Sequence, residues 1–151
     1  MKEKIITGAV VIAAIIALFY TAIHFWRNTY YLRMLDQMDC GVSLSDVKIE
    51  MISEERGGIT MDGVTVYKLS IKEKYDTGMI EVSEWNDLPI SDSIVNYYMI
   101  NAQKTGNYLC NLENGSWKIV GKNKEEGIYR NIELYVYDED GRCFYIYKWD
   151  S

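Results

Sequence analysis

The residues best suited to chemistry are few, and their spacing decides what they can do. Asp138, Glu139, Asp140 and Gly141 make an acidic run of the kind found in calcium loops. A loop of EF-hand type needs an acidic residue two places before Asp138 and a glutamate at its end, where Val136 and Tyr147 stand instead. Asp and Gly are also what a tight hairpin requires, so the run reads as a turn. His24 is the only histidine, and it directly follows an apolar stretch. One imidazole makes no zinc site, and no cysteine lies at ligand spacing from it. A Ser-His or Cys-His hydrolase would need it in a folded pocket beside its nucleophile. The twenty-two acidic residues include neighbours in any fold, yet no spacing selects a pair for acid–base work. The expectation is no catalytic residue, no metal ligand and no cofactor.

Cys40, Cys110 and Cys143 are too few, and odd in number, for a disulfide framework. One bridge, Cys110–Cys143, is open to a domain outside the cell; three independent small apolar residues is the other reading. The thirteen tyrosines and four tryptophans are more informative. Side chains with an apolar body and a polar tip are enriched at interfaces. Tyr135, Tyr137, Tyr145 and Tyr147 are therefore candidate partner-binding residues, with core packing as the alternative.

These residues need elements to hold them. From Ile5 to Ile23 the chain reads IITGAVVIAAIIALFYTAI, nineteen residues without a charge. As a helix this spans roughly 28 Å, against about 30 Å of bilayer hydrocarbon. Its ten Ile, Val, Leu and Phe residues favour insertion by about 3–6 kcal/mol together. Phe25 and Trp26 follow as interfacial aromatics. The run is longer than a signal-peptide core, no small-x-small cleavage site follows it, and Cys40 lies too far away for a lipoprotein. The expectation is an uncleaved anchor, with the membrane contacted through residues 5–26. Lys2 and Lys4 precede the helix; Arg27 and Arg33 follow it. The two lysines and the α-amino group tilt the orientation toward an N-terminus inside and a domain outside.

Tyr30, Tyr31, Met34, Leu35 and Met38 recur at helical spacing, so the helix should continue as a stalk to Gly41, a left-handed stop. The expected organisation is a tail and transmembrane anchor over 1–26, a juxtamembrane helical stalk over 27–41, and a soluble domain over 42–151. In that domain VKIEMIS (47–53) and VTVYKLSI (64–71) alternate as strands do. Between them, Glu54–Gly63 (EERGGITMDG) reads as a glycine-bearing connection with positive φ angles. Asp76 or Thr77 can cap a short helix carrying Met79, Ile80 and Val82, with Trp85 packing below. After Pro89, a helix capped by Ser91 or Asp92 should present Ile94, Val95, Tyr98 and Met99. Asn114-Gly115 marks a turn between YLCNL and SWKIVG. ELYVYDEDGRCFYIYKWD reads as a hairpin turning at Glu139-Asp140 with Gly141 left-handed. Pairing Tyr137 with Cys143 would segregate Ile132, Leu134, Val136, Phe144 and Ile146 on one face from the four tyrosines on the other. The fold class is α+β: an N-terminal transmembrane helix, then a small antiparallel sheet of about five strands with helices on one face.

Four pieces of the chain resemble an uncharacterised family of small membrane-anchored or secreted bacterial proteins. They are Glu54–Gly63 (EERGGITMDG), Trp85–Pro89 (WNDLP), Asn114–Val120 (NGSWKIV) and the tyrosine-rich hairpin Glu133–Asp150. The family's loop is similar to DTHGGFHGDG; here Arg56 and Thr60 stand where it carries histidines. The resemblance implies a shared fold and an envelope location, and it supplies no activity. The preserved Gly57, Gly58, Asp62 and Gly63 fit a structural loop; were the loop a binding site, Arg56, Gly57, Gly58, Asp62 and Gly63, with Trp85 among the nearby aromatics, would be its candidates for ligand or partner binding.

Sixteen basic against twenty-two acidic residues leave a net charge of −6, opposed to nucleic-acid binding. The expected function is a non-enzymatic extracytoplasmic accessory or interaction module with a protein partner. The alternative is a domain that binds a small ligand or cell-envelope component.

Overall fold

The computed structural model describes residues 2–57, 62–90, 93, 113–125 and 128–150. Gly58, the helix expected over Ile94–Met99 and the YLCNL segment with Cys110 lie outside the described residues. The chain divides into two compact units, Met1–Gln37 and Met38–Ser151.

The first unit belongs to helix α1, Lys2–Met38. Val10, Val11, Ile12, Ile15, Ile16, Leu18, Phe19 and Ile23 each expose more than half their surface. The core helix of a soluble protein would have these side chains covered. This helix is long and apolar enough to cross a membrane. Its polar side chains turn back on the helix: Thr21 Oγ1 donates to the Leu18 carbonyl and Thr29 Oγ1 to that of Phe25, both at 2.9 Å. Such bonds satisfy hydroxyls where lipid offers no partner. Phe25 and Trp26 are each 75 % exposed. The helix stops at Met38, where Asp39 takes a left-handed φ of 48°, and Gly41 follows at 76°.

The second unit is built on a six-stranded antiparallel sheet. Its strands are β1 (Val47–Gly57), β2 (Asp62–Ile71), β3 (Asn86–Asp87), β4 (Gly115–Glu125), β5 (Ile128–Asp138) and β6 (Cys143–Asp150). Their order across the sheet is β1-β2-β6-β5-β4-β3. The alternating segments at 47–53 and 64–71 lie in β1 and β2, as expected. The sixth strand is the two-residue β3, whose Asn86 and Asp87 pair with Trp117 and Ser116. The short helix is a 3₁₀ turn, Thr77–Met79, with Asp76 as its N-cap accepting the Gly78 N–H at 3.0 Å. Ile80 and Val82 fall beyond it.

The C-terminal hairpin differs from its expected register by one residue. Asp138, not Tyr137, pairs with Cys143, so Tyr137 faces Phe144, Val136 faces Tyr145, Tyr135 faces Ile146 and Leu134 faces Tyr147. Directly opposed residues share a face, and the tyrosines are therefore divided between the two faces. The turn is the physical reason. Asp138 Oδ1 accepts the Gly141 N–H at 2.9 Å, and the Arg142 N–H donates to the Glu139 carbonyl at 3.2 Å. That closes a four-residue loop in which Arg142, not Gly141, is left-handed, with φ at 48°. A Cβ at Gly141 would lie 2.4 Å from Asp138 Oδ2, so a larger residue there would push the Asp138 carboxylate aside.

An outward tyrosine face presumes that one side of the sheet is open, and here both are covered. One side packs Val66, Leu134, Val136, Tyr145, Tyr147 and Trp149 with Trp117 and Ile90. The other carries Leu69, Tyr135, Tyr137, Phe144 and Ile146, all buried, with the Trp85 ring 6.4 Å from Tyr135 and 6.1 Å from Phe144. A buried aromatic removes roughly 150–250 Å² from water, about 4–6 kcal/mol before entropy is counted. The Tyr135 hydroxyl donates to Glu133, which Lys148 meets at 3.2 Å across the strand pair, so its polar tip is not stranded.

β4 begins at Gly115, whose φ is 135°. A Cβ at this position would lie 1.9 Å from the Tyr137 carbonyl oxygen. Gly115→Ala is therefore expected to destabilise the protein by about 3 kcal/mol or more, from backbone strain plus displacement of β5. Urea denaturation of the detergent-solubilised chain measures this, and a loss below about 1 kcal/mol would contradict so close an approach.

Candidate functional site

The segment after the helix and the segment after β2 are bound edge to edge. The Lys72 N–H donates to the Asp46 carbonyl at 2.8 Å and the Glu81 N–H to the Cys40 carbonyl at 3.1 Å, while the Tyr75 hydroxyl meets the Gly41 carbonyl at 3.2 Å. Between them, against β4, lies a cavity of about 230 Å³ lined by Asp39, Glu81, Ser83, Glu84, Trp85 and Lys118. Lys118 Nζ donates to the Met38 carbonyl at 2.7 Å and stands 5.3 Å from the centre of the Trp85 ring. Its ammonium thus satisfies a carbonyl left open where the helical hydrogen-bond pattern ends, and a cation–π contact adds to it. The lining holds three carboxylates against one ammonium. Among the described residues no three His, Cys, Asp or Glu side chains are placed to hold a metal ion.

The candidates read from the sequence are distributed differently. Trp85 lines the cavity. Arg56 pairs with Gly63 and Gly57 with Asp62 at the end of the β1–β2 hairpin, and Gly63 also faces Asp150. These four belong to paired strands, not to an open loop. Tyr135, Tyr137, Tyr145 and Tyr147 are between 0 and 5 % exposed and belong to the core. Asp39, Glu81, Ser83, Glu84 and Lys118 escaped sequence reasoning, because no spacing links residue 39 to 81–85 and 118.

The thiols are chemically quiet. Burial pushes the Cys40 thiol above its ordinary pKa, only partly offset by the Val42 backbone and Lys118. Burial raises Cys143 likewise, against a hydrogen bond with Tyr145. Both are free and buried, with Cys143 Sγ 4.0 Å from Asp138 Oδ2, so the bridge from Cys143 considered from sequence is not made. A thiol held protonated is a poor nucleophile.

In comparisons with known proteins, no family model, no curated protein and no solved structure matches the chain.

Two outcomes follow from this geometry. Lys118→Met keeps the aliphatic stem and loses the charged bond to Met38, with an expected cost of about 1.5–3 kcal/mol in a denaturant titration. An unchanged midpoint would show the bond to be idle. For the thiols, a folded pKa above the unfolded value of about 8.5 gives stability that is whole below that pH and declines as pH rises past it. The denaturation midpoint should fall from pH 8 to 9.5, and Cys40→Ala should flatten the slope. A midpoint rising over that interval would contradict the burial of these groups.

Proposed function

We propose that this protein is a single-pass, membrane-anchored interaction module without enzymatic activity, its 38–151 domain standing on the extracytoplasmic side and binding a protein partner. The observation that carries the reading is the exposed apolar surface of α1 from Val10 to Trp26, which water does not tolerate and a bilayer does. Lys2 and Lys4, at the start of the helix and ahead of its uncharged stretch, favour that end lying inside. The resemblance of Glu54–Gly63 and the C-terminal hairpin to an envelope family agrees with that side.

The interaction reading rests on what the domain offers. The Cys40 and Cys143 thiols are held toward their protonated form, Tyr135, Tyr137, Tyr145 and Tyr147 are core, and the candidate site is a small acidic cavity. A second reading, a domain for a small ligand or envelope component, is favoured by the same cavity. It is not favoured by the Glu54–Gly63 segment, whose described ends are strand.

Localisation is tested in intact cells by adding protease outside, with lysed cells alongside and an alkaline carbonate wash of the membranes. The expected result is a chain that resists the wash and loses its domain without lysis. Extraction by carbonate would overturn the anchor, and protection until lysis would place the domain inside.

A further inference from the structure

We propose that the first half of β1, Val47–Met51, is a dimerisation edge that pairs antiparallel, about a two-fold axis, with the same residues of a second copy. This deepens the interaction-module reading and rests on it, since the anchor is what gathers the copies in one plane. The two ends of the sheet are unlike. β3 offers only Asn86 and Asp87, and Pro89, which has no N–H, follows soon after. β1 runs for 11 residues, and among the described residues no strand pairs with its outer edge. Alternate residues of such a strand turn their N–H and C=O groups outward, a template for another extended chain. Lys48 is exposed and Met51 is 53 % exposed, so water reaches this edge.

An open edge accepts any extended chain; the side chains of this one select a second copy. Val47-Lys48-Ile49-Glu50-Met51 reads apolar, charged, apolar, charged, apolar from either end, and its two charges are opposite in sign. With the axis at Ile49, Lys48 of each copy faces Glu50 of the other, Val47 faces Met51, and Ile49 faces itself. Opposite charges set directly across a strand pair stabilise it, and like charges oppose it. Moving the axis to Lys48 or to Glu50 sets that residue against itself, and a parallel pairing in register does so for both. Charge therefore selects the register. Glu50 already faces Lys68 on β2, so the join continues an alternating row, Lys68–Glu50–Lys48, from one sheet into the next. Met51, exposed in one copy, gains Val47 of the other. The regular stretch ends where the β1–β2 register shifts between Met51 and Ser53. The contact is thus far shorter than the roughly 20–30 residues a side of a stable interface. Such a dimer belongs to the crowded plane of a membrane, not to dilute detergent.

The test is disulfide trapping in isolated membranes carrying the full chain, oxidised with copper phenanthroline and read on non-reducing gels. Two differently tagged chains are co-expressed, one with Lys48→Cys and the other with Glu50→Cys. In the proposed register these positions lie about 4.5–5.5 Å apart between Cα atoms, within disulfide reach, while two copies of either position lie beyond the limit of about 7 Å. The mixed dimer should therefore exceed either homodimer by at least about fivefold. Ile49→Cys, on the axis, should link to itself, and Lys74→Cys, exposed after β2, should not rise above the unsubstituted chain. In the Ile49→Cys chain, Lys48→Glu alone or Glu50→Lys alone should cut the link by about three- to tenfold. Co-expressing those two chains should restore it between them, because each then meets the opposite sign. Equal linking at Lys74→Cys, no preference for the mixed pair, or charge reversals without effect overturns the proposal. Such a failure would leave anchor and sidedness untouched, since those stand or fall in the carbonate and protease experiment.

Discussion

The pairing of β5 with β6 puts aromatic side chains on both sides of the sheet's centre, and both sides must then be covered. Tyr147 and Tyr145 lie with Leu134 and Val136, while Tyr135 and Tyr137 lie with Phe144 and Ile146. Covering the second side brings Trp85 onto Tyr135 and Phe144. The chain from Ile71 to Pro89 must therefore run over that side, where it meets the segment after the helix through the Asp46 and Cys40 carbonyls. The acidic cavity is a by-product of this arrangement: two covering segments and one strand meet around Trp85 and leave a gap. Its shape is fixed by packing, and only its rim is free to vary in charge.

What could be read in the sequence follows from how local the determining physics is. The long apolar helix was legible because its capacity to cross a bilayer depends on composition over some twenty residues and on nothing else in the fold. β1 and β2 were legible because Lys48, Glu50 and Lys68 interrupt the apolar positions and leave an alternating pattern. The hairpin's strands were legible for their β-branched and aromatic residues, but its register was not. In a strand buried on both sides, neither alternate set is polar, and hydrophobic pattern gives no preference between registers one residue apart. The choice fell to the Asp138 carboxylate, a single hydrogen bond at the turn. The site was the least legible part, since its six lining residues come from three separate stretches of chain, and only Trp85 drew notice alone.

Charge and burial also narrow the chemistry. Asp46 is held below the ordinary carboxylate range by hydrogen bonds from Ser43, and Glu50 by Lys48, both at the surface. Tyr75 and Tyr137 are raised, chiefly by burial. Each shift stabilises the form already present at neutral pH, so none of these groups is poised to exchange a proton there.

The strand order has a consequence for how the molecule is made. β6 is the last of the six strands in sequence, yet it lies between β2 and β5. Until it emerges from the ribosome, β1–β2 and β4–β5 are separate ribbons, and two-stranded ribbons are marginal in water. The sheet therefore closes late, only after the N-terminal helix and the other five strands have been synthesised. Two ribbons that wait for the strand between them stay open longest at what becomes the middle of the sheet.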